Sequence, residues 1–144
     1  MPNPSADTHV RSAADVIAAA PPARVEAGAR ERIRACHAGT GRRIAVLDDD
    51  PTGSQTVHDV TVITAFEDAE CAAGLAEAGS TCFILTNTRS LPESPAVELN
   101  ASVAGRLFQL GEQLGAPIHV VSRSDSTLRG HVIAEVRAID VAGR

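Results

Sequence analysis

Short apolar runs alternate along the chain with longer amphipathic stretches, and this alternation predicts strands separated by helices. The candidate strands are residues 43–48, 60–64, 81–86 and 117–121. The first of them, RIAVLD, has apolar residues at consecutive positions, which is typical of a strand buried on both faces of a parallel sheet.

Helices are predicted at residues 13–20, 23–37, 67–78, 94–114 and 128–139. The fourth has the clearest pattern, because its apolar residues recur every three or four positions and form one face. Ser94 is a suitable N-cap for it, and Pro95 suits the first helical position. The last helix is predicted to begin at Leu128, with Ser126 or Thr127 as its cap.

These elements indicate an α/β fold, Rossmann-like, with a mostly parallel sheet and helices on both faces. Right-handed crossovers bring the carboxyl ends of the strands to one edge, where ligands of such folds bind. We interpret residues 1–40 as an N-terminal extension with one or two helices and residues 41–144 as the domain. No closing element follows the last helix, so we expect the domain to be incomplete.

The composition excludes several classes of function. The chain contains no lysine, and all 13 of its basic residues are arginine. A Walker-A phosphate loop and Schiff-base catalysis both need lysine and are therefore excluded. A net charge of −5 and dispersed arginines argue against nucleic acid as a partner. The three cysteines lack metal-site spacing, so we expect no zinc site, and we also expect no membrane span and a cytoplasmic location.

Residues 48–56, DDDPTGSQT, place three consecutive carboxylates directly after a buried strand. Adjacent carboxylates repel one another, so a cation, arginine partners or ligand hydroxyl groups are needed to compensate. Asp48, Asp49 and Asp50 are therefore candidate binding residues, and Gly53 permits a turn or the close approach of a ligand. A solvated turn is the alternative, since Asp, Pro and Gly are common turn residues.

Residues 122–131, SRSDSTLRGH, connect the last predicted strand to the last predicted helix. N–H groups at a helix N-terminus attract anions, and Arg129 is expected within the first turn of that helix. Arg123 and Arg129 could each hold a carboxylate through two hydrogen bonds. An N-cap with surface arginines is the simpler alternative.

A third polar loop, residues 86–90, adds Arg89 at another strand end. By itself it is equally consistent with an ordinary turn. His58 and His131 lie beside the first two loops. Each is a candidate proton shuttle, or only a hydrogen-bonding residue, because histidine titrates near neutral pH.

The segments DDDPTGSQTVHDV, FILTNTRSL and SRSDSTLRGH, in this order and spacing, resemble the N-terminal domain of the four-carbon acid sugar kinase family. The resemblance spans residues 43–135, and three motifs in the right order are more specific than any one of them. Enzymes of that family use ATP to phosphorylate four-carbon sugar acids, such as threonate, erythronate and 3-oxotetronate, at the terminal hydroxyl. The resemblance implies that this chain holds the sugar acid.

In this interpretation, arginines bind the carboxylate of the sugar acid and aspartates accept hydrogen bonds from its hydroxyls. Either Asp50 or Asp125 is implied as the catalytic base that takes the hydroxyl proton. Arg123 departs from the pattern, since many relatives have lysine there. The implied substrate-binding residues are Asp49, Asp50, Thr52, Gly53, Arg89, Arg123, Asp125, Ser126 and Arg129.

The complete family enzyme uses ATP and Mg²⁺, and its nucleotide is held by a C-terminal half whose glycine-rich region has no counterpart in this chain. We therefore assign no cofactor-binding residue and no metal ligand here, and expect no kinase activity from the chain alone. The expected partners are a sugar acid and a C-terminal nucleotide-binding half, in cis or in trans.

Two other functions are alternatives. A haloacid-dehalogenase-type phosphatase would use Asp48, Asp50 and Thr52 as its first motif, with Asp48 as nucleophile and Mg²⁺ as cofactor. Its later motifs are missing, however, and SRSDSTLRGH stays unexplained. A non-catalytic module would bind a sugar acid, or nothing, and perform no chemistry.

Overall fold

The computed structural model describes residues 10–22, 24–127 and 129–144. These residues form four strands, which are β1 (Arg43–Asp48), β2 (Thr61–Ile63), β3 (Thr81–Leu85) and β4 (Ile118–Arg123). They also form five α-helices, which are α1 (Ala13–Ala19), α2 (Ala29–Thr40), α3 (Asp68–Gly74), α4 (Glu93–Leu114) and α5 (Val132–Ala142). Short 3₁₀ turns lie after β1 and β3, at Gly53–Thr56 and Thr88–Ser90.

The strands form one parallel sheet in the order β2-β3-β1-β4. The prediction of an α/β fold with a mostly parallel sheet is therefore confirmed. Asp48, the last residue of β1, lies opposite Leu85 of β3 and Arg123 of β4. Because these three strands end level, the loops that follow them begin at the same edge.

The hydrophobic core lies between the sheet and helices α3, α4 and α5. On the sheet side, Ala45, Leu47 and Ile84 are buried, and they cluster with Leu107 of α4 and Ile139 of α5. Burying one leucine or isoleucine side chain stabilises a protein by about 1.5–3 kcal/mol. The domain is therefore held together mainly by this one layer.

The packed helices lie on one face of the sheet, whereas the prediction placed helices on both. The steps from β2 to β3 and from β3 to β4 run in the same direction, so right-handed crossovers put α3 and α4 on the same face. The β1–β2 connection runs the other way and contains only a 3₁₀ turn. Since neither α1 nor α2 buries a residue, Val62 and Val121 on the other face are each 45% exposed.

Two helices begin at positions that differ from the prediction. Helix α2 starts at Ala29 rather than at residue 23, a position that lies outside the described residues. It ends at Thr40, and the next residue, Gly41, has a left-handed φ of 62°. Helix α4 begins at Glu93, with Pro92 at its N-cap. The hydroxyl of Ser94 therefore does not cap the helix and instead donates to the carboxylate of Glu98 at 3.1 Å.

Helix α3 ends at Gly74 rather than at residue 78. The cause is Arg43, a buried residue of β1 whose guanidinium donates to the carbonyls of Leu75 and Ala76 at 2.6 and 3.2 Å. These carbonyls are thus satisfied without another helical turn. Within the described part of the chain, no helix is long and apolar enough to cross a membrane.

Candidate functional site

Three loops meet at the carboxyl edge of the sheet and are joined through their backbones. The N–H of Thr86 donates to the carbonyl of Asp48 (2.9 Å), and the N–H of Asp49 donates to the carbonyl of Arg123 (3.4 Å). Asn87 has a left-handed φ of 52°, which Asn tolerates better than most residues with a side chain, and it turns the third loop at the end of β3. The backbone therefore fixes the positions of the charged side chains in this region.

Asp48 lies on the face of β1 opposite the core, where its carboxylate is closed off from solvent. Its side chain is 3% exposed, and Oδ1 accepts a hydrogen bond from Nη1 of Arg123 at 3.1 Å. Burial raises the pKa of Asp48 above its ordinary value, and the charge of Arg123 opposes that shift. A Cβ atom at Gly53 would overlap both the Asp48 carboxylate and the Arg123 guanidinium. Gly53 thus permits the close approach of the first loop to this ion pair.

Asp49 lies on the core side of β1 and links the first loop to both of the others. Its side chain is also 3% exposed. Its two carboxylate oxygens accept hydrogen bonds from Nη2 and Nε of Arg89, at 2.9 and 3.2 Å. The backbone N–H of Asp125 donates to Oδ2 of Asp49 at 2.8 Å. Because a bidentate pair fixes the plane of the guanidinium, Asp49 sets both the position and the orientation of Arg89.

Asp50 is the most accessible of the three consecutive carboxylates, with 19% of its side chain exposed. Its Oδ2 accepts a hydrogen bond from Nη1 of Arg89, and its Oδ1 accepts bonds from the hydroxyl and N–H of Thr52, at 2.6 and 2.7 Å. The bonds from Thr52, with a smaller contribution from Arg89, hold the pKa of Asp50 below its ordinary value. Asp50 is therefore an ionised hydrogen-bond acceptor at neutral pH.

Asp125 organises the second loop. Its Oδ1 accepts a bond from the N–H of Thr127 at 2.8 Å, and its Oδ2 lies 3.2 Å from Nη2 of Arg129 and 3.6 Å from Nε of Arg89. Hydrogen bonding by Thr127, followed by the two arginines, holds the pKa of Asp125 below its ordinary value. A Cβ atom at Gly130 would overlap the Asp125 carbonyl, so this glycine lets the loop fold back on itself.

The prediction that Ser126 or Thr127 caps the last helix is wrong. Helix α5 begins only at Val132, and residue 128, its predicted start, lies outside the described residues. The physical reason is that Asp125 bonds the N–H of Thr127 in a local turn, which competes with helix formation. Arg129 therefore precedes the helix instead of lying in its first turn.

An open pocket of about 450 Å³ lies beside this network of side chains. Its lining residues are Asp49, Asp50, Asn87, Arg89, Ser90 and Arg129. The pocket thus combines carboxylate, guanidinium, amide and hydroxyl groups. Carboxylates accept hydrogen bonds from hydroxyl groups and guanidiniums bind anions, so a small hydroxylated anion suits this lining.

Most of the predicted binding residues belong to the network, but fewer reach the pocket. Those that line it are Asp49, Asp50, Arg89 and Arg129. Thr52 and Asp125 hydrogen-bond to lining residues, whereas Gly53 and Arg123 belong to the Asp48 ion pair. Ser126 is exposed and is not part of the lining.

Two lining residues, Asn87 and Ser90, were not among the predicted site residues. They bond to each other, with Nδ2 of Asn87 3.3 Å from Oγ of Ser90. The sequence indicated them only by their position beside Arg89 after a buried strand.

Neither candidate histidine lines the pocket. His58 is 92% exposed beside Asp59, and Nε2 of His131 lies 3.0 Å from the Leu91 carbonyl.

Comparison with known protein families identifies what the chain is related to. Residues 44–143 match the family described as the sugar-binding N-terminal domain. The chain belongs to this family. The match contains all three loops of the sugar-binding domain, and with them every residue of the pocket lining. The comparisons with curated proteins and with solved structures gave no significant match.

The geometry of the sugar-binding domain argues against the phosphatase alternative. That chemistry needs Asp48 as a nucleophile that a substrate can reach. Instead, its carboxylate is 3% exposed, paired with Arg123 and covered by Gly53. Asp48 therefore stabilises the first loop through its ion pair with Arg123 and is not accessible to a substrate.

Proposed function

We propose that this chain is the substrate-binding part of an ATP-dependent kinase that phosphorylates a four-carbon sugar acid, such as threonate, erythronate or 3-oxotetronate, at its terminal hydroxyl. The observation that carries the proposal is the grouping of Asp50, Arg89 and Arg129 around one open pocket at the carboxyl edge of the sheet. Membership of the sugar-binding family and the likeness of three motifs to four-carbon acid sugar kinases support it.

Phosphoryl transfer depends mainly on positioning and charge stabilisation, so a rigid substrate site is a large part of the catalyst. Asp50 is the better candidate for the base that takes the hydroxyl proton. It lines the pocket and is 19% exposed, whereas Asp125 is 8% exposed and is not in the lining. In this proposal Asp125 positions Arg129 and the loop around it.

ATP and Mg²⁺ would enter with a C-terminal nucleotide-binding half, in cis or in trans. Among the described residues, no group of three or more His, Cys, Asp or Glu side chains could hold a metal ion. The aspartates beside the pocket instead face Arg89 and Arg129. In this proposal these aspartates bind the arginines and the hydroxyl groups of the sugar acid.

A non-catalytic sugar-acid-binding module is the second candidate. It is supported by the pocket lining, which is drawn wholly from the three segments that resemble four-carbon acid sugar kinases and lies within the match to the sugar-binding family. Mixing the chain with a separately produced C-terminal half, ATP and a sugar acid distinguishes the two functions. Phosphorylation in the mixture supports the kinase, and binding without phosphorylation supports the module. Phosphorylation by the chain alone would contradict the two-part proposal.

The first test is a thermal melt of the purified chain with and without D-threonate, D-erythronate and 3-oxotetronate. A ligand at a hundred times its dissociation constant stabilises the folded state by about 2.7 kcal/mol. In a domain of this size the midpoint is then expected to rise by about 4 °C or more. A shift with one acid supports sugar-acid binding and names the substrate, and a cooperative melt that no acid shifts would contradict it.

A further inference from the structure

The three arginines at the carboxyl edge of the sheet differ in the charges they already face. Each nitrogen of the Arg89 guanidinium donates to Asp49 or Asp50, and Nε lies 3.6 Å from the carboxylate of Asp125. Three carboxylates therefore surround one cation that is only 23% exposed. Arg89 is poorly placed to attract a further anion, because the negative charges around it outnumber its own.

Arg123 is removed from the pocket by the pleat of β4. Its guanidinium bonds the sealed carboxylate of Asp48, on the face of the sheet away from the core, and it is not in the pocket lining. A ligand held between Asp50 and Ser90 would therefore not reach the charge of Arg123.

Arg129 is the arginine of the three that has N–H donors available to bind an anion in the pocket. It lines the pocket, and its side chain is 70% exposed. Within the described residues it forms an ion pair with one carboxylate, that of Asp125, through Nη2 at 3.2 Å. A guanidinium has five N–H donors, so most of those of Arg129 face the pocket or solvent. Its charge is also the one that is least compensated in the network.

Resting on the proposed function, we propose that Arg129 binds the carboxylate of the sugar acid and sets the preference of the pocket for acids over neutral polyols. Asp49, Asp50 and Asp125 outnumber Arg89 and Arg129 by one charge, and the exposed guanidinium of Arg129 is the positive group in the lining with the fewest carboxylates around it. The hydroxyl-bearing end then lies toward Asp50, Asn87 and Ser90. Arg89 and Arg123 stabilise aspartates and do not contact the carboxylate.

Calorimetric titration with an acid and its uncharged amide tests this assignment. The ligands are D-erythronate and D-erythronamide, or the corresponding pair for whichever acid shifts the melt most. The variants are Arg129→Gln, which removes the charge, and Arg129→Lys, which keeps the charge but loses the fork of donors. Arg137→Gln, a change of an exposed arginine on α5 outside the pocket, is the matched control.

Arg129→Gln is expected to weaken acid binding about tenfold to a hundredfold, as for the loss of hydrogen bonds to a charged group, and to change amide binding less than about threefold. Arg129→Lys should retain part of the preference for the acid over the amide, and Arg137→Gln should retain all of it. If Arg129→Gln still prefers the acid as strongly as the parent does, Arg129 does not bind the carboxylate, although the pocket does bind sugar acids. If the parent chain binds neither ligand, the proposed function fails and this assignment fails with it.

Discussion

Asp48 and Asp49 are adjacent in the sequence, yet they belong to two different charged regions on opposite faces of β1. In the first region, the buried carboxylate of Asp48 pairs with Arg123 beneath Gly53. In the second, Asp49 holds Arg89 at the wall of an open pocket and bonds the backbone of Asp125. Both carboxylates are 3% exposed, so burial does not distinguish them.

The difference lies in what each ion pair leaves accessible. Gly53 and Arg123 keep the Asp48 carboxylate out of reach of a ligand, whereas the Asp49–Arg89 pair lines a pocket together with Asp50 and Arg129. Consecutive aspartates at the end of a strand point to opposite faces of the sheet, so Asp48 can stabilise the first loop while Asp49 lines the pocket. Changes to the first region should alter stability, and changes to the second should alter ligand binding as well.

The largest effect is expected from Arg89→Met. Removing this guanidinium leaves Asp49 buried without its ion-pair partner and removes the attraction that offsets repulsion among three aspartates. Breaking a buried ion pair costs roughly 3–5 kcal/mol, and since Arg89 is partly exposed we expect a loss of about 2–4 kcal/mol. Chemical denaturation measures this loss, and thermal melts with sugar acid should show that the ligand shift has also disappeared.

Arg106→Met is the control for Arg89→Met. Arg106 of α4 also faces two acids, Glu67 and Asp68, but both of these are more than three-quarters exposed. Exposed ion pairs stabilise proteins by about 0–1 kcal/mol, so this change should cost little and leave ligand binding intact. Equal losses of stability in the two variants would mean that the carboxylates around Arg89 stabilise the protein no more than an exposed ion pair does.

Gly53→Ala should have the next largest effect on stability, and it tests the Asp48–Arg123 ion pair alone. The added methyl overlaps the Asp48 carboxylate and the Arg123 guanidinium, so the loop must move or the ion pair must open. We expect a loss of about 1–3 kcal/mol, as for overpacked sites, with the preference for acid over amide unchanged. The measurement is the denaturation midpoint together with the calorimetric titration.

Gly105→Ala is the control for Gly53→Ala. Gly105 lies in α4, and apart from the helix's own backbone and the two neighbouring residues, no atom of the described chain lies within 4 Å of a Cβ built there. Alanine favours a helix over glycine by up to about 1 kcal/mol, so this variant should be as stable as the parent or more so. A stable Gly53→Ala variant would show that the first loop is not packed on the ion pair.

Asp50→Asn should affect binding more than stability. Asp50 is the accessible acceptor of the pocket, and an amide in its place loses the charge that attracts hydroxyl donors. Acid and amide ligands should therefore both bind at least about tenfold more weakly, in contrast to Arg129→Gln. Calorimetry measures both affinities, and Asp59→Asn, at an exposed aspartate outside the lining, is the control. Unchanged affinities in Asp50→Asn would remove Asp50 from the site.

The sequence predicted the sheet and the loops well because both depend on local patterns. Continuous apolar runs marked β1 and β3, and each polar loop began where such a run ended. Parallel topology then brought the loops together without further information. Side-chain pairs were harder to predict from the sequence. The register between β1 and β4 determines whether Arg123 contacts Asp48 or faces the pocket.

Other features could not be predicted from local sequence patterns alone. The start of α5 was mispredicted because the turn formed by Asp125 and Thr127 competes with the helix, and its outcome depends on contacts between loops. Glu135 of α5 is 1% exposed, and neither of its carboxylate oxygens has a hydrogen-bond partner among the described residues. In the sequence it is indistinguishable from an acid on the exposed face of a helix.

The smallest expected effect is a difference in how Asp48 and Asp50 change the melting midpoint of the protein as the pH falls. Asp50 and Asp125 have pKa values below the ordinary 3.8, so their contribution to stability is complete above that pH and is lost as the pH falls below it. Asp48 has a raised pKa, so protonation in acid favours its folded state and opposes that loss. Melting midpoints measured from neutral pH down to about pH 3 should therefore fall less steeply in Asp50→Asn than in the parent, and more steeply in Asp48→Asn. If both variants changed the slope in the same direction, the two regions would not differ in the way that their burial and hydrogen bonding indicate.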